Sequence, residues 1–436
     1  MSLAEWKKEF EGKKIVIWGM GREGRSTLAF LRRLFPEMKI TIAERRNADF
    51  EAIHEIDDNV EVFADDTFDF NACDMIIKSP GIVVRDGIDA SKITEETDLF
   101  LKHYGRQTIG ITGTKGKSTT TSLTYALLKE AKMVNLCGNI GVPCFEVIDD
   151  MEKGELACFE LSCHQLEYCT HSPHIAVFLN LYEEHLDHYG TFEKYADAKA
   201  NILKYQNEDD IAIIHPDLRC YVQPWNEHVY TIGEDIYADG MTLITPEHTL
   251  TIRESRLIGS HNFDNLAVAY FISTLYGVTN TQVKEAVKKF RPLSHRLEYL
   301  GEKDGIRYVN DSISTIGETC IKAIEALDHV DTVLVGGMDR GISYDVFEEY
   351  LHGRKDLNII FMYASGKRIL HEMQEKHLLR DGLYEVENLE EAVAMAKKIT
   401  KPGHICLLSP AASSYDHFKN FEERGEVFAR LAFDKE

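Results

Sequence analysis

The sequence predicts an α/β protein of three domains with mostly parallel sheets. Short β-branched runs alternate with longer segments of helical pattern. Glycine-rich turns directly follow two of those runs and open a helix. Length sets the number of domains, because 436 residues exceed what one hydrophobic core organises.

The first domain, residues 1–102, is expected to be Rossmann-like, with strands at 14–18, 40–43 and 75–77. The second, 103–292, opens with a strand at 108–112 that runs into a glycine loop and a helix from Lys117. Its further strands fall at 156–160, 175–179 and 211–214, the layout of a P-loop ATPase-type domain with a mostly parallel sheet. Its end is placed at Arg291-Pro292-Leu293, since proline disfavours helix at the residue before it. The third domain, 293–436, is again Rossmann-like, with strands at 332–335, 358–361 and 405–408.

Composition narrows the function. A formal charge of -23 argues against a nucleic-acid surface, which would present a basic stripe. Small polyanions can still bind in local pockets of amides and cations. Nine scattered cysteines, several in apolar runs such as Ala157-Cys158-Phe159, read as reduced buried thiols. The start, Ala4-Glu5-Trp6-Lys7-Lys8-Glu9, lacks the apolar core of a signal peptide. No apolar stretch approaches the roughly 20 residues that span a bilayer. A cytoplasmic protein without a membrane span is expected.

The loop Gly113-Thr114-Lys115-Gly116-Lys117-Ser118-Thr119 carries the clearest chemistry. Glycines let successive backbone N–H groups converge on phosphate oxygens. Lys117 can reach the β- and γ-phosphates, and Ser118 or Thr119 can hold Mg²⁺. The spacing departs from the strict motif, with Ile111 where a glycine would stand, but the strand before and the helix after supply the context. ATP binding follows.

The other loop, Gly19-Met20-Gly21-Arg22-Glu23-Gly24, is followed about 20 residues on by Glu44, as in a dinucleotide fingerprint. Arg45 and Arg46 follow the acid directly and favour a more anionic ligand than NAD. A phosphorylated nucleotide of another kind is expected here. Glu160, at a strand end, can offer a carboxylate to Mg²⁺. His185 lies past the C-terminal end of a strand, where α/β sheets hold ligands. Lys199, taken alone, reads as a surface lysine on a helix. Cys158, Cys163, His164, Cys169, His171 and His174 lack the paired spacing of a structural zinc site.

Together these residues resemble the Mur ligases, along essentially the whole chain. The resemblance rests on Thr112–Thr119, Gly138-Asn139-Ile140-Gly141, Glu160-Leu161-Ser162 with Gln165-Leu166-Glu167, and Glu184-His185-Leu186-Asp187. It continues through Ala198-Lys199, Gly259-Ser260-His261-Asn262 with Asn265, His295-Arg296, Asn310-Asp311-Ser312, Gly336-Gly337, and Leu408-Ser409-Pro410-Ala411 followed by Phe418-Lys419-Asn420-Phe421-Glu422-Glu423-Arg424-Gly425. Ser79-Pro80-Gly81 and Asp416-His417-Phe418-Lys419-Asn420-Phe421 point to the branch that adds D-glutamate.

The resemblance implies an ATP-dependent ligase that joins D-glutamate to UDP-N-acetylmuramoyl-L-alanine through an acyl phosphate, in peptidoglycan precursor synthesis. It implies that Lys117 steadies the transferring phosphoryl group. Two Mg²⁺ ions are expected, one on Ser118 and Glu160, the other on His185 and a carbamylated Lys199. Gly113, Thr114, Lys115, Gly116, Lys117, Ser118, Thr119, Asn262, Asn265, Arg296 and Asp311 fall at ATP positions. Gly19, Gly21, Gly24, Glu44, Arg45, Arg46, Ser79, Gly81, Asn139 and Ser162 fall at UDP-sugar positions. Thr315, Arg340, Ser414, Tyr415 and Phe421 fall in the amino-acid pocket. A monomer with small-molecule partners is expected.

Two positions depart from the family pattern. Ile313 stands where many members carry lysine, and Arg340 replaces a lysine after the Gly-Gly turn. Both bear on the acceptor, so a Mur-type ligase for another amino acid or a folylpolyglutamate synthase-like enzyme is the first alternative. A non-catalytic nucleotide sensor is the second.

Overall fold

The computed structural model describes residues 3–255, 257, 260–291, 295–325 and 327–434. Gly259 of the 259–262 motif, and Pro292 and Leu293 at the expected boundary, lie outside the described residues. The chain divides into two compact units, one running to Ser255 and including Ser260–Phe290, the other from Arg291 onward.

The first unit contains two parallel sheets. The N-terminal sheet has β1 (Ile15–Trp18), β2 (Ile40–Glu44), β3 (Val60–Ala64), β4 (Met75–Lys78) and β5 (Ile93–Thr94), in the order β3-β2-β1-β4-β5. The second has β6 (Thr108–Thr112), β7 (Val134–Gly138), β8 (Leu156–Glu160), β9 (Ile175–Phe178), β10 (Ile211–Ile214) and β11 (His228–Thr231), ordered β11-β10-β9-β6-β8-β7. β1, β6 and β9 are buried along their whole length. That is why they read as continuous apolar or β-branched runs rather than alternating ones. One hydrophobic core joins both sheets, including Ile17 and Ile42 of the first and Phe159 and Phe178 of the second. Trp6, Phe30 and Phe145 meet in it with ring centroids 4.7 to 5.4 Å apart.

β12 (Tyr237–Asp239), β13 (Thr242–Ile244) and β14 (Thr249–Thr251) form a small antiparallel sheet that the sequence did not announce. Each strand is three residues long, too short for a period-2 pattern to stand out.

The second unit has one sheet of β15 (Glu298–Lys303), β16 (Ile306–Asn310), β17 (Val330–Val335), β18 (Asn358–Phe361), β19 (Leu383–Glu385) and β20 (Ile405–Leu408). The order is β15-β16-β20-β17-β18-β19, parallel except for the edge strand β15. Its centre, β16-β20-β17, is buried between helices, with Val309, Val333 and Leu407 on one side and Tyr308, Leu334 and Leu408 on the other. Ligands of such sheets bind beyond the carboxyl ends of the strands.

Candidate active site

The central site forms where β6 ends. Gly113 and Gly116 hold φ of +153° and +83°, values that side-chain-bearing residues rarely adopt. A Cβ on Gly116 would also come within 3.0 Å of Asn265 Oδ1. Asn265 Nδ2 in turn donates to Asn262 Oδ1 at 3.3 Å. Asn180, just past β9, ties the loop down. Its carbonyl accepts from Thr114 N at 3.0 Å and its Oδ1 from Lys115 N at 2.8 Å. Thr114 Oγ1 accepts from Tyr182 N at 2.9 Å and lies 3.0 Å from Tyr195 Oη. Lys117, first in the helix Lys117–Leu128, donates to the carbonyls of Gly113 and Thr114 at 2.9 and 3.1 Å. Ser118 beside it is buried and Thr119 half-buried. A rigid loop at a helix N-terminus with an ammonium over it is an anion cradle.

Lys199 belongs to the helix Phe192–Lys204 and is 1% exposed, not the surface lysine its local sequence suggests. Its Nζ donates to Gly113 O at 2.8 Å. Burial, reinforced by the Lys117 charge, lowers its ammonium to about 7. Glu160 ends β8 beside β6 and is fully buried. Its Oε1 accepts from Asn139 Nδ2 at 2.6 Å, while Oε2 is buried without a hydrogen-bond partner. A buried oxygen left so costs on the order of 1–3 kcal/mol, which a hard cation would relieve. His185 sits at φ +56°, with its ring 5.0 Å from His164 and 6.0 Å from Tyr195. The donor set is therefore one that a Mg-nucleotide fits. Eight of the nine cysteines are buried free thiols, Cys158, Cys163 and Cys169 among them.

The first glycine loop is held from three sides. Gly19 stands at φ +92°, and its carbonyl accepts from Ser79 Oγ at 2.8 Å. A Cβ on Gly24 would lie 1.9 Å from that same carbonyl oxygen, so only glycine fits. Glu44 accepts from Met20 N at 2.6 Å and from Arg45 N at 2.8 Å. Its carboxylate thus fastens the loop, a role the sequence does not reveal. Arg46 pairs with Asp66 at 2.9 Å, and Arg45 is exposed. Gly81 at φ +79° borders open space.

Contacts run from this loop to the central site. Arg22 Nη2 donates to Gly141 O at 2.5 Å. Ser162 caps the short helix Cys163–Leu166 in a reciprocal box with Gln165, whose Nε2 donates to Glu23 Oε1 at 2.7 Å. Gly19, Gly21, Gly24, Ser79, Asn139 and Ser162 thus occupy one connected region of the first unit, beside Glu160.

The second unit carries the remaining candidates. Asp311, after β16, accepts from Ser314 Oγ at 2.5 Å, Ser409 Oγ at 2.8 Å and Leu297 N at 3.2 Å. Burial lifts its carboxyl to about 6. Arg296 lies in the turn preceding β15. Arg340 Nη2 donates to Thr315 O at 3.0 Å, which brings two of the acceptor residues together. Ser414 is buried and its carbonyl accepts from Phe418 N at 2.9 Å. Phe421 opens the last helix, Phe421–Phe433, while Tyr415 is 71% exposed. Sequence reasoning missed Asn180 and Tyr195, and met Arg424 only as part of a family motif, without a role. Asn180 was within reach, since it follows directly on a strand whose end faces the loop. Tyr195 leaves no local signal, because its partner Thr114 is 81 residues away in the chain, and the Ser312 contacts of Arg424 likewise span 112 residues.

Two nucleotide-type loops over parallel sheets, one with a lysine-topped phosphate cradle, define an α/β protein of the P-loop nucleotide-binding class. The Mur ligase middle domain matches residues 111–273. A UDP-N-acetylmuramoylalanine–D-glutamate ligase of Acidobacterium capsulatum is 32% identical, over 97% of this chain and 96% of that one. One of Bacillus cereus is also 32% identical, over 96% and 97%. The chain belongs to the Mur ligase family, among its UDP-N-acetylmuramoylalanine–D-glutamate ligases. Among solved structures, the MurF ligase of Thermotoga maritima in complex with ADP shares the fold, with a TM-score of 0.55 at 20% identity over 92% of this chain and 96% of that one. A Mycobacterium tuberculosis folylpolyglutamate synthase aligns with a TM-score of 0.53 at 12% identity, over 76% of this chain and 94% of that one. Among the described residues, no helix is long and apolar enough to cross a membrane.

Proposed function

We propose that this chain is a cytoplasmic, ADP-forming ligase that joins D-glutamate to UDP-N-acetylmuramoyl-L-alanine, with residues 1–102, 103–292 and 293–436 as its three working domains. One observation carries the reading. A phosphate cradle, a buried carboxylate oxygen without a partner and a desolvated lysine are collected at one end of one sheet. The names of the full-length relatives support the choice of substrates.

A carboxylate is a poor electrophile, and phosphorylation converts its oxygen into a leaving group. An oxygen of the alanyl carboxylate attacks the γ-phosphorus of ATP and ADP departs. The amine of D-glutamate then attacks the acyl carbon, phosphate leaves and the nitrogen loses a proton. Both steps depend on positioning and charge stabilisation. The loop 113–119 orients the triphosphate, and Lys117 leaves its carbonyl partners to meet the transferring group. Asn262 and Asn265 in the first unit, and Arg296 and Asp311 in the second, are further nucleotide-binding residues by the family resemblance. The first loop, with Glu44, Arg45, Arg46, Ser79, Gly81, Asn139 and Ser162, receives the UDP-sugar. Thr315, Arg340, Ser414, Tyr415 and Phe421 receive the amino acid.

Ser118 and Glu160 would hold one Mg²⁺, and His185 with a carbamylated Lys199 a second; bound there, the ions supply neutralisation of phosphate charge. A plain ammonium repels a cation, whereas a carbamate presents oxygens to it. The neutral Lys199 amine adds to CO₂ and releases a proton to give that group, and burial makes the neutral amine available. The test is ADP release from UDP-N-acetylmuramoyl-L-alanine and ATP with a panel of amino acids. D-glutamate should be strongly preferred, and release independent of any amino acid, or no release at all, defeats the reading.

A further inference from the structure

Arg424 lies at the end of the first turn of the helix Phe421–Phe433 and is 0% exposed. Its donors all end on uncharged oxygens. Nε donates to Ser312 Oγ at 3.0 Å and Nη2 to Ser312 O at 2.8 Å. Nη1 donates to Ala412 O at 3.0 Å and Ser413 O at 3.2 Å. No carboxylate is among its hydrogen-bond partners in the described residues.

A third loop closes on the same group. A Cβ on Gly337 would lie 2.3 Å from Ser413 O and 2.9 Å from Arg424 Nη1, so glycine there makes room for the guanidinium. Met338 N donates to Ser413 O at 2.8 Å. The three loops follow β16, β20 and β17, which are neighbours in the sheet. Each carries one residue of the proposed acceptor pocket: Thr315, Ser414 and Arg340.

The charge balance of this hub is incomplete, because Asp416 acts on Arg424 through space without a hydrogen bond to it. A guanidinium keeps its proton when buried, and carbonyl dipoles replace only part of its lost hydration. Its place near a helix N-terminus sets it against the macrodipole. An anion arriving at the loops would complete the arrangement.

We infer that Arg424 is a positioning residue for the acceptor amino acid, holding the three loops together and supplying the positive potential that an acceptor carboxylate completes. The inference rests on the ligase reading above. It also bears on Ile313, where the family resemblance leads to an expected lysine, because a buried arginine behind the loops returns positive charge to the pocket.

The experiment measures KM for the acceptor, for ATP and for the UDP-substrate in Arg424→Met, Arg424→Lys and Ser312→Ala, with thermal melting to establish folding. Arg424→Met should raise the acceptor KM about tenfold or more, as expected for loss of charge-assisted recognition, with the other two KM values within about twofold. It should also reduce the preference for D-glutamate over its carboxamide analogues, a readout that loosened packing alone does not move. Arg424→Lys should recover part of both effects. A uniform fall in active protein with all KM values unchanged, or all three KM values rising together, overturns the inference.

Should Arg424→Met not fold, Ser312→Ala removes one of the two loop contacts and must show the same split at smaller size; a wild-type acceptor KM there also overturns it. Wild-type enzyme is assayed first with the amino-acid panel. If it prefers another acidic acceptor, the D-glutamate reading fails by itself, and the same KM split measured with that acceptor decides the role of Arg424.

Discussion

Lys199 in the first unit and Arg424 in the second are buried alike, at 1% and 0% exposure, and both donate to backbone carbonyls rather than to a carboxylate. Their chemistry diverges because a desolvated ammonium gives up its proton and a guanidinium does not. Lys199 is drawn down to about 7, Arg424 only to about 10. The lysine becomes an amine that can react with CO₂, and the arginine stays a fixed charge. Lys78 follows a third course. It is as buried as the other two, but stands 2.9 Å from the equally buried Glu95 and 3.9 Å from Glu167, so carboxyl groups are among its partners. The same burial therefore yields a reactive group, a field or a lysine–carboxyl contact, according to residue type and partner.

The largest expected effect lies at the first of these regions. Lys117→Ala should lower ADP formation by roughly 10³-fold while leaving the melting temperature unchanged, since a positioned cation on developing charge is worth that much. Near-normal turnover in the folded variant would break the assignment of the cradle.

Lys199→Ala should lose on the order of 10²-fold, the size expected when a group supporting a metal ligand set is removed, with partial rescue by short carboxylates. Lys199→Arg sharpens the contrast with Arg424. It retains a cation but cannot form a carbamate, so it should be as inactive as the alanine variant, with no rescue. The pH profile follows the same logic. Neutral amine grows as pH rises through about 7, so activity at fixed bicarbonate should fall on the acid side of that value. A flat profile from pH 6 to 8, where the amine fraction changes most around a pKa of about 7, counts against the carbamate.

A smaller effect is expected at Arg340, whose planar fork suits a carboxylate. Arg340→Lys should raise the D-glutamate KM about tenfold, or about 1.4 kcal/mol, with little change for ATP. Equal KM values in variant and wild type would remove Arg340 from the pocket.

The mildest prediction concerns stability around Lys78. Burial lifts the Glu95 carboxyl from 4.5 to about 8. The folded state therefore holds a proton that the unfolded chain releases, and this contribution is fully present below 4.5 and lost as pH rises through about 8. Urea unfolding should show stability falling over that window, by at most about 1.4 kcal/mol per pH unit for this group. Glu95→Gln should flatten the slope; an unchanged slope would show that the carboxyl is ionised throughout.

The two glycine loops and the parallel strands were legible because each is a local pattern, a buried β-branched run followed by glycines and a helix. Local pattern also located Glu160, as the last residue of a strand, whereas Asp311, just beyond β16, came from the family resemblance alone. It misjudged Lys199, whose helix reads as amphipathic and gives no hint that Nζ turns inward to Gly113 O. It could not see that Glu44 spends both oxygens on the loop N–H groups of Met20 and Arg45. The division of the first 290 residues was drawn from strand runs, whereas one core binding both sheets depends on contacts such as Trp6 with Phe145.

What the sequence by itself determined is the central parallel strands and the chemistry of the loops, since backbone φ requirements and strand–turn–helix order act over a few residues. Only the tertiary structure decided the protonation and purpose of the charged groups. A lysine, an arginine and a glutamate acquire their properties from how much water and which partners the folded chain leaves them, and those partners come from other strands. Arg424 is the plainest case: its contacts with Ser312, Ala412 and Ser413 exist only because β16 and β20 lie side by side in the sheet.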